Sequence, residues 1–212
     1  MRLIGLSGYA RSGKDEAAKV LVEEYGFKRI AFADKLRDFL YALDPIVTVK
    51  RGETPINVKQ GETVKRLYID DGIRATIPVS IEVRVSQVID EHGWDGYKET
   101  EYGAEIRGLL QRLGTEAGRQ TLWDSIWIDA ALHDLDPNGN YVVTDVRFPN
   151  EAAAITERGG RLVRIVRDGV GPANMHASET SLDDYPFMHG LRNNGTLEEF
   201  RANVKTYFAP RY

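Results

Sequence analysis

The residues Gly8 to Asp15, GYARSGKD, carry two glycines and a lysine at the spacing of a phosphate-wrapping loop, G-x-x-x-x-G-K-[ST]. Only the last place departs, where Asp15 stands for the usual hydroxyl residue. Phosphate is strongly hydrated, so a protein that binds it must replace that water with donors at close range. Successive backbone N–H groups running into a helix start supply them. Gly8 and Gly13 permit the backbone geometry, and Lys14 adds a point charge for the outer phosphates. Asp15 reads two ways: as a carboxylate at ease near the positive end of a helix, or as a magnesium ligand, direct or through water. The plainer alternative for the whole motif is a tight turn with an exposed lysine. Its place after an apolar strand and before a helix favours a nucleotide.

A second group is VVTDVRFPNE, within Tyr141 to Glu151. An acidic residue ending a buried strand lies at the carboxyl edge of an open sheet, where ligands bind in such folds. Asp145 there can hold magnesium or orient an acceptor, and the planar fork of Arg147 suits phosphate better than lysine would. Glu151 starts the next helix, so a salt-bridged cap of Asp145, Arg147 and Glu151 is the alternative. The third group is RGLLQRLGTEAGRQTLWDSIW, with Arg107, Arg112 and Arg119 along a helix that Gly114 and Thr115 interrupt. A solvated face is the common use of such charges. Trp123 and Trp127, four residues apart, read as core, with one of them available to wall a base pocket. Lys35 and Arg37 after the second strand, Arg164 and Arg167, and His176, Ser178 and Glu179 in NMHASET are weaker signals. No spacing of His, Asp and Glu resembles a zinc site, and no G-x-S-x-G elbow is present.

These residues need elements to hold them. Arg2 to Ser7 reads as a strand and DEAAKVLVEEY as a helix, with Ala17, Ala18, Val20, Leu21 and Tyr25 at helical spacing. Phe27 to Phe32 is the expected second strand, followed by the helix ADKLRDFLYALD, which Pro45 stops. Residues 47 to 79 are charged and proline-spotted without firm periodicity, and read as an insertion. Helices are expected over IEVRVSQVIDEHGW, EIRGLLQRLGTEAGRQ and WDSIWIDAALHDLD, and then a strand over Tyr141 to Val146. FPNEAAAITERGG gives a helix, RLVRIV a strand, and GTLEEFRANVKTYF a last helix capped by Thr196. The alternation implies an α/β fold with a mostly parallel sheet flanked by helices.

Composition narrows the partners. A chain of 212 residues with 42% hydrophobic residues suits one domain, here 1–212, with 47–100 as an inserted lid or substrate-binding region. A net charge of -4 disfavours coating of nucleic acid or an anionic membrane. Cysteine is absent, which removes disulfides, thiolate metal sites and cysteine catalysis. The N-terminus lacks the apolar core of a signal peptide, and no run reaches the ~18 apolar residues that span a bilayer. A cytoplasmic protein is expected, and a homodimer is compatible with the composition.

SGYARSGKD, FADKLRD, IRGLLQRLGTEAGR, DSIWID, VVTDVRFPNEAAAITERGGRLVRIVRDG and a late HASE, in this order, resemble the bacteriophage deoxynucleoside monophosphate kinase family. The resemblance covers most of the chain outside about 47 to 79. It implies a P-loop kinase fold and transfer of the terminal phosphoryl group of ATP, with magnesium, to a deoxynucleoside monophosphate. It places ATP binding on Arg11, Ser12, Gly13, Lys14 and Asp15, with Gly8, Glu16 and Arg107 beside them. Leu36, Arg37, Gly114, Thr115, Arg119, Trp127, Asp145, Arg147, Glu151 and His176 fall on the acceptor side. Lys14, Asp15, Arg119, Asp145 and Arg147 are the expected catalytic set, and Asp15 and Asp145 the metal ligands. A dephospho-coenzyme A kinase and a non-catalytic ATP-binding switch are the rival readings.

Overall fold

The computed structural model describes residues 1–56, 68–70, 74–172, 175 and 177–209. The chain divides into two compact units, Met1–Arg37 with Gly114–Tyr212, and Asp38–Leu113.

The first unit is built on a five-stranded parallel sheet. Its strands are β1 (Arg2–Ser7), β2 (Lys28–Ile30), β6 (Asn140–Val143), β7 (Arg161–Val166) and β8 (Gly190–Arg192), in the order β2-β6-β1-β7-β8. β1 is central because it is apolar on both faces, with Leu3 to Ser7 all buried. One face is sealed by α1 (Lys14–Tyr25) and α8 (Leu197–Phe208), whose Ala17, Leu21, Phe200, Val204 and Phe208 pack on Ile4, Leu6 and Val163. The other is sealed by α5 (Ile126–Leu132) and α6 (Pro149–Glu157), through Ile128, Leu132, Ala152 and Ile155. All strands point the same way, so the chain leaves β1, β2, β6 and β7 at one edge, the edge where ligands sit in open parallel sheets.

The second unit begins within α2 (Phe32–Leu43) and holds β3 (Ile46–Ile56), β4 (Tyr68–Asp70), β5 (Arg74–Arg84), α3 (Val85–Gly96) and α4 (Gly103–Arg112). Its core is Leu40, Val85, Val88, Ile89, Tyr97 and Ile106. β3, β5 and β4 form an antiparallel sheet where the sequence shows no firm periodicity. Gly52, Pro55 and Pro78 within the strands, and a register shift between Ile46 and Thr48, interrupt the alternation that would betray them. Other boundaries also move. Phe32 opens α2 instead of ending β2, Ile81 to Arg84 belong to β5 instead of the following helix, and β6 stops at Val143.

After α4 the helix widens into a π-helix over Leu113–Gln120. Gly114 and Thr115 therefore change the winding of the helix and do not end it. π-turns of this kind gather at functional sites.

Candidate active site

The loop after β1 is set by its glycines. Gly8 has φ 139 and Gly13 φ 107, values that L side chains rarely adopt, and a Cβ at Gly8 would lie 2.3 Å from the Ile165 carbonyl. Arg11 also takes a left-handed conformation, at φ 64. Lys14 opens α1 and turns back over the loop, its Nζ donating to the carbonyls of Gly8 at 2.6 Å and Tyr9 at 2.7 Å. Burial, and then the field of Arg147, push its pKa below the ordinary 10.5, while Asp15, Glu179 and Asp145 oppose the shift. Asp15 is exposed in the first turn of α1, and Glu16 pairs with Arg201 of α8.

A cleft opens over this loop. Gly8, Tyr9 and Lys14 line it from the β1 end, Arg147 from beyond β6, Arg164 from β7 and Glu179 from α7 (Ala177–Thr180). Residues from distant parts of the sequence thus meet at one sheet edge. Arg147 is half exposed and pairs with Glu179 at 3.0 Å. Arg164 is enclosed, donating to the Leu182 carbonyl at 2.6 Å and to Asp183 at 2.9 Å. Tyr9 completes that cluster, its hydroxyl donating to Asp183 at 2.6 Å.

Asp145 faces the start of α2. Its two oxygens accept the N–H groups of Phe32 at 2.8 Å and Ala33 at 2.9 Å, so it caps that helix from 112 residues away. Burial raises its pKa against those two donors and Arg147. Glu151 is more enclosed, only 2% exposed. One oxygen accepts from Arg119 at 2.8 Å, and the other from the backbone N–H groups of Arg147 at 2.7 Å and Phe148 at 3.1 Å. Arg119 also lies 4.3 Å over the Phe148 ring. Its plane is fixed, whereas the guanidinium of Arg147 is half exposed and bonds to Glu179.

The remaining expected residues divide clearly. Trp127 is buried and its indole N–H donates to the Gly114 carbonyl at 3.0 Å, bracing the π-helix. A Cβ at Gly114 would come within 3.1 Å of the Leu36 Cδ2, so that side chain would have to give by a few tenths of an ångström. Trp123, expected in the core, is 53% exposed; its indole N–H is drawn to Asp129, which also accepts from Ser125. Arg37 lies 3.7 Å from Asp34. Arg107 is exposed on α4 in the second unit, and His176 falls outside the described residues. Tyr9, Asp183 and Asn193 were not singled out by the sequence. A tyrosine inside a glycine loop and an Asn-Asn-Gly turn before a capped helix were the available signals.

A model of the deoxynucleotide monophosphate kinase family matches residues 76–204. The chain belongs to the deoxynucleotide monophosphate kinase family. A mimivirus chain bearing the same family name, from Acanthamoeba polyphaga mimivirus, is 30% identical over 96% of this chain and 94% of its own. The deoxynucleotide monophosphate kinase of Enterobacteria phage T4 is 26% identical over 97% of this chain and 98% of its own. Among solved structures, a dephospho-CoA kinase from Campylobacter jejuni has a TM-score of 0.39 at 13% identity, covering 99% of this chain and 96% of that one. In this member of the deoxynucleotide monophosphate kinase family, the loop ending in Asp15 and the residues around Arg147 share one cleft.

The enclosure of Glu151 makes a prediction about pH. Its pKa is pushed from 4.5 to about 7, chiefly by burial. Between those values the folded chain holds more protons than the unfolded one. The contribution to stability is therefore full below about pH 4.5 and is lost as pH rises through about 7. Glu151→Gln is expected to remove this downward slope from a plot of Tm against pH. A slope unchanged in the variant contradicts it.

Proposed function

We propose that this chain transfers the γ-phosphoryl group of ATP to a deoxynucleoside monophosphate, giving ADP and the diphosphate. The observation that carries this reading is the shared cleft: Lys14 and the glycine loop enter it from β1, and Arg147 from beyond β6. Phosphoryl transfer asks for in-line positioning and charge neutralisation and little covalent chemistry from the protein. The loop and Lys14 hold the donor phosphates, and Arg37, Arg119 and Arg147 the acceptor phosphate. The acceptor oxygen is already ionised, because the second pKa of a phosphate monoester is about 6. No general base is therefore required.

Magnesium fits the donor set near the loop. It binds hard oxygens and usually keeps only one or two protein carboxylates, the rest being phosphate and water. Asp15, an exposed carboxylate one residue after Lys14, meets that demand. Asp145 has both oxygens on backbone donors, which suits it to shaping the start of α2, with any metal contact made through water. Among the described residues no group of three carboxylate or imidazole side chains forms a metal cage, as a phosphate-borne ion would not need one. Bound magnesium supplies charge neutralisation on the ATP phosphates.

Arg147 is paired with Glu179 at 3.0 Å at the cleft. The Arg147 side chain is 48% exposed and that of Glu179 15%, so an acceptor phosphate reaches the guanidinium from its open side and competes with a single carboxylate for it. Arg147→Ala is expected to raise the acceptor KM by about 10- to 100-fold and leave the ATP KM within about twofold, read by steady-state kinetics. A rise in the ATP KM with acceptor binding intact contradicts the assignment. In the same reading 47–100 is a substrate-binding insertion. The cytoplasm, which supplies ATP and deoxynucleotides, is the compartment the reaction requires.

A further inference from the structure

Asn193 is a polar residue 9% exposed, lying directly after β8 and 181 residues from the phosphate loop. Its Nδ2 donates to the Ser12 carbonyl at 2.8 Å. Its own backbone N–H is held by the Val166 carbonyl at 2.8 Å, at the end of β7. Next to it, Asn194 and Asp168 bond to each other twice, through Asp168 N–H to Oδ1 at 2.9 Å and Nδ2 to Oδ2 at 2.7 Å. The amide is thus presented from a braced turn.

The contact falls at the most demanding peptide of the loop. A trans peptide is planar, with its C=O and N–H pointing in opposite directions. Fixing the Ser12 carbonyl on Asn193 therefore fixes the Gly13 N–H away from Asn193. The Ser12 N–H donates to the Tyr9 carbonyl at 3.2 Å, and the Ser12 hydroxyl is buried without a hydrogen-bond partner in the described structure. The loop also sits hard against the amide: a Cβ at Gly13 would lie 2.4 Å from Asn193 Nδ2. Lys14 braces the opposite end of the same loop through Gly8 and Tyr9.

We infer that Asn193 is a positioning residue for donor binding, holding the Ser12–Gly13 peptide so that the Gly13 N–H is aimed at nucleotide phosphate. This rests on the proposed role of the loop as the ATP site. Asn193→Asp keeps the shape, removes the donor and turns an acceptor towards the Ser12 carbonyl. A carboxyl this enclosed holds its proton to a higher pH than usual and, once protonated, donates again. Titration calorimetry with ADP and magnesium is expected to give a Kd raised about tenfold or more at pH 8, with most of the loss recovered at pH 6. Affinity for a deoxynucleoside monophosphate should stay within about twofold at both pH values, which also reports the fold. Asn193→Ala, which adds no charge, should lose ADP affinity equally at both pH values, and it carries the comparison if the aspartate variant does not fold. ADP binding unchanged in the variants overturns the role of Asn193, and so does an equal loss of both ligands. Absence of ADP binding by the parent protein overturns instead the reading of the loop.

Discussion

Lys14→Ala is expected to lower kcat by about 10²- to 10³-fold, with Tm changed by only a few degrees. The ammonium already bridges two carbonyls of its own loop, so it is held above the place where donor phosphates would lie. It does so at an electrostatic disadvantage: burial and Arg147 both work against its charge. An anion arriving in the cleft relieves that tension, and relieves it most where negative charge accumulates during transfer. The packing contribution can be separated from the charge by Lys14→Met, which keeps the length of the stem and removes the ammonium. Both variants should lose turnover alike. Turnover close to that of the parent in either one would remove the loop from the chemistry.

The second large effect is expected for Arg119→Ala, which should cost about 3 kcal/mol of stability at pH 8 and about 100-fold in kcat/KM. Arg119 and Glu151 are 17% and 3% exposed, so solvent screens the pair little. Glu151 also takes the N–H groups of Arg147 and Phe148 just before α6, so loosening it disturbs the turn carrying Arg147. Left without its cation, the carboxyl escapes by taking a proton, and its pKa of about 7 means that this is easy below neutrality. The stability loss should therefore shrink at pH 6. Arg119→Lys should recover only part of it, since an ammonium lacks the planar fork and the face that lies on Phe148. Denaturant unfolding at the two pH values and acceptor kinetics check this. An equal loss of stability at both pH values contradicts the account of Glu151.

What the sequence revealed follows its physics. β1, α1, β7 and α8 were legible because apolar period, glycine punctuation and the Thr196 cap agree with the final structure. Thr196 accepts from Glu199 N–H at 3.2 Å, the bond its sequence advertises. The antiparallel strands β3 and β5 were hidden because proline, glycine and charge break their alternation. At the site, Lys14 and Arg147 were readable from their place at strand ends. The role of Glu151 was half visible: its position suggested a cap, but its bond to Arg119 depends on a π-helix that no residue spacing announces. Trp127 illustrates the same limit. Its burial was expected, but its hold on the Gly114 carbonyl exists only once the two segments meet. For Asn193 the Asn-Asn-Gly turn was legible but its contact was not, because its partner is 181 residues away and is a backbone carbonyl.

The central claim is tested most directly by following the phosphoryl group. The protein is mixed with γ-labelled ATP, magnesium and each of the four deoxynucleoside monophosphates in turn, with dephospho-coenzyme A as a parallel acceptor, and the products are separated. Label should pass to a deoxynucleoside diphosphate with one ADP formed for each, and none should reach dephospho-coenzyme A. Label found only as inorganic phosphate, or on dephospho-coenzyme A but on no deoxynucleotide, would contradict the account.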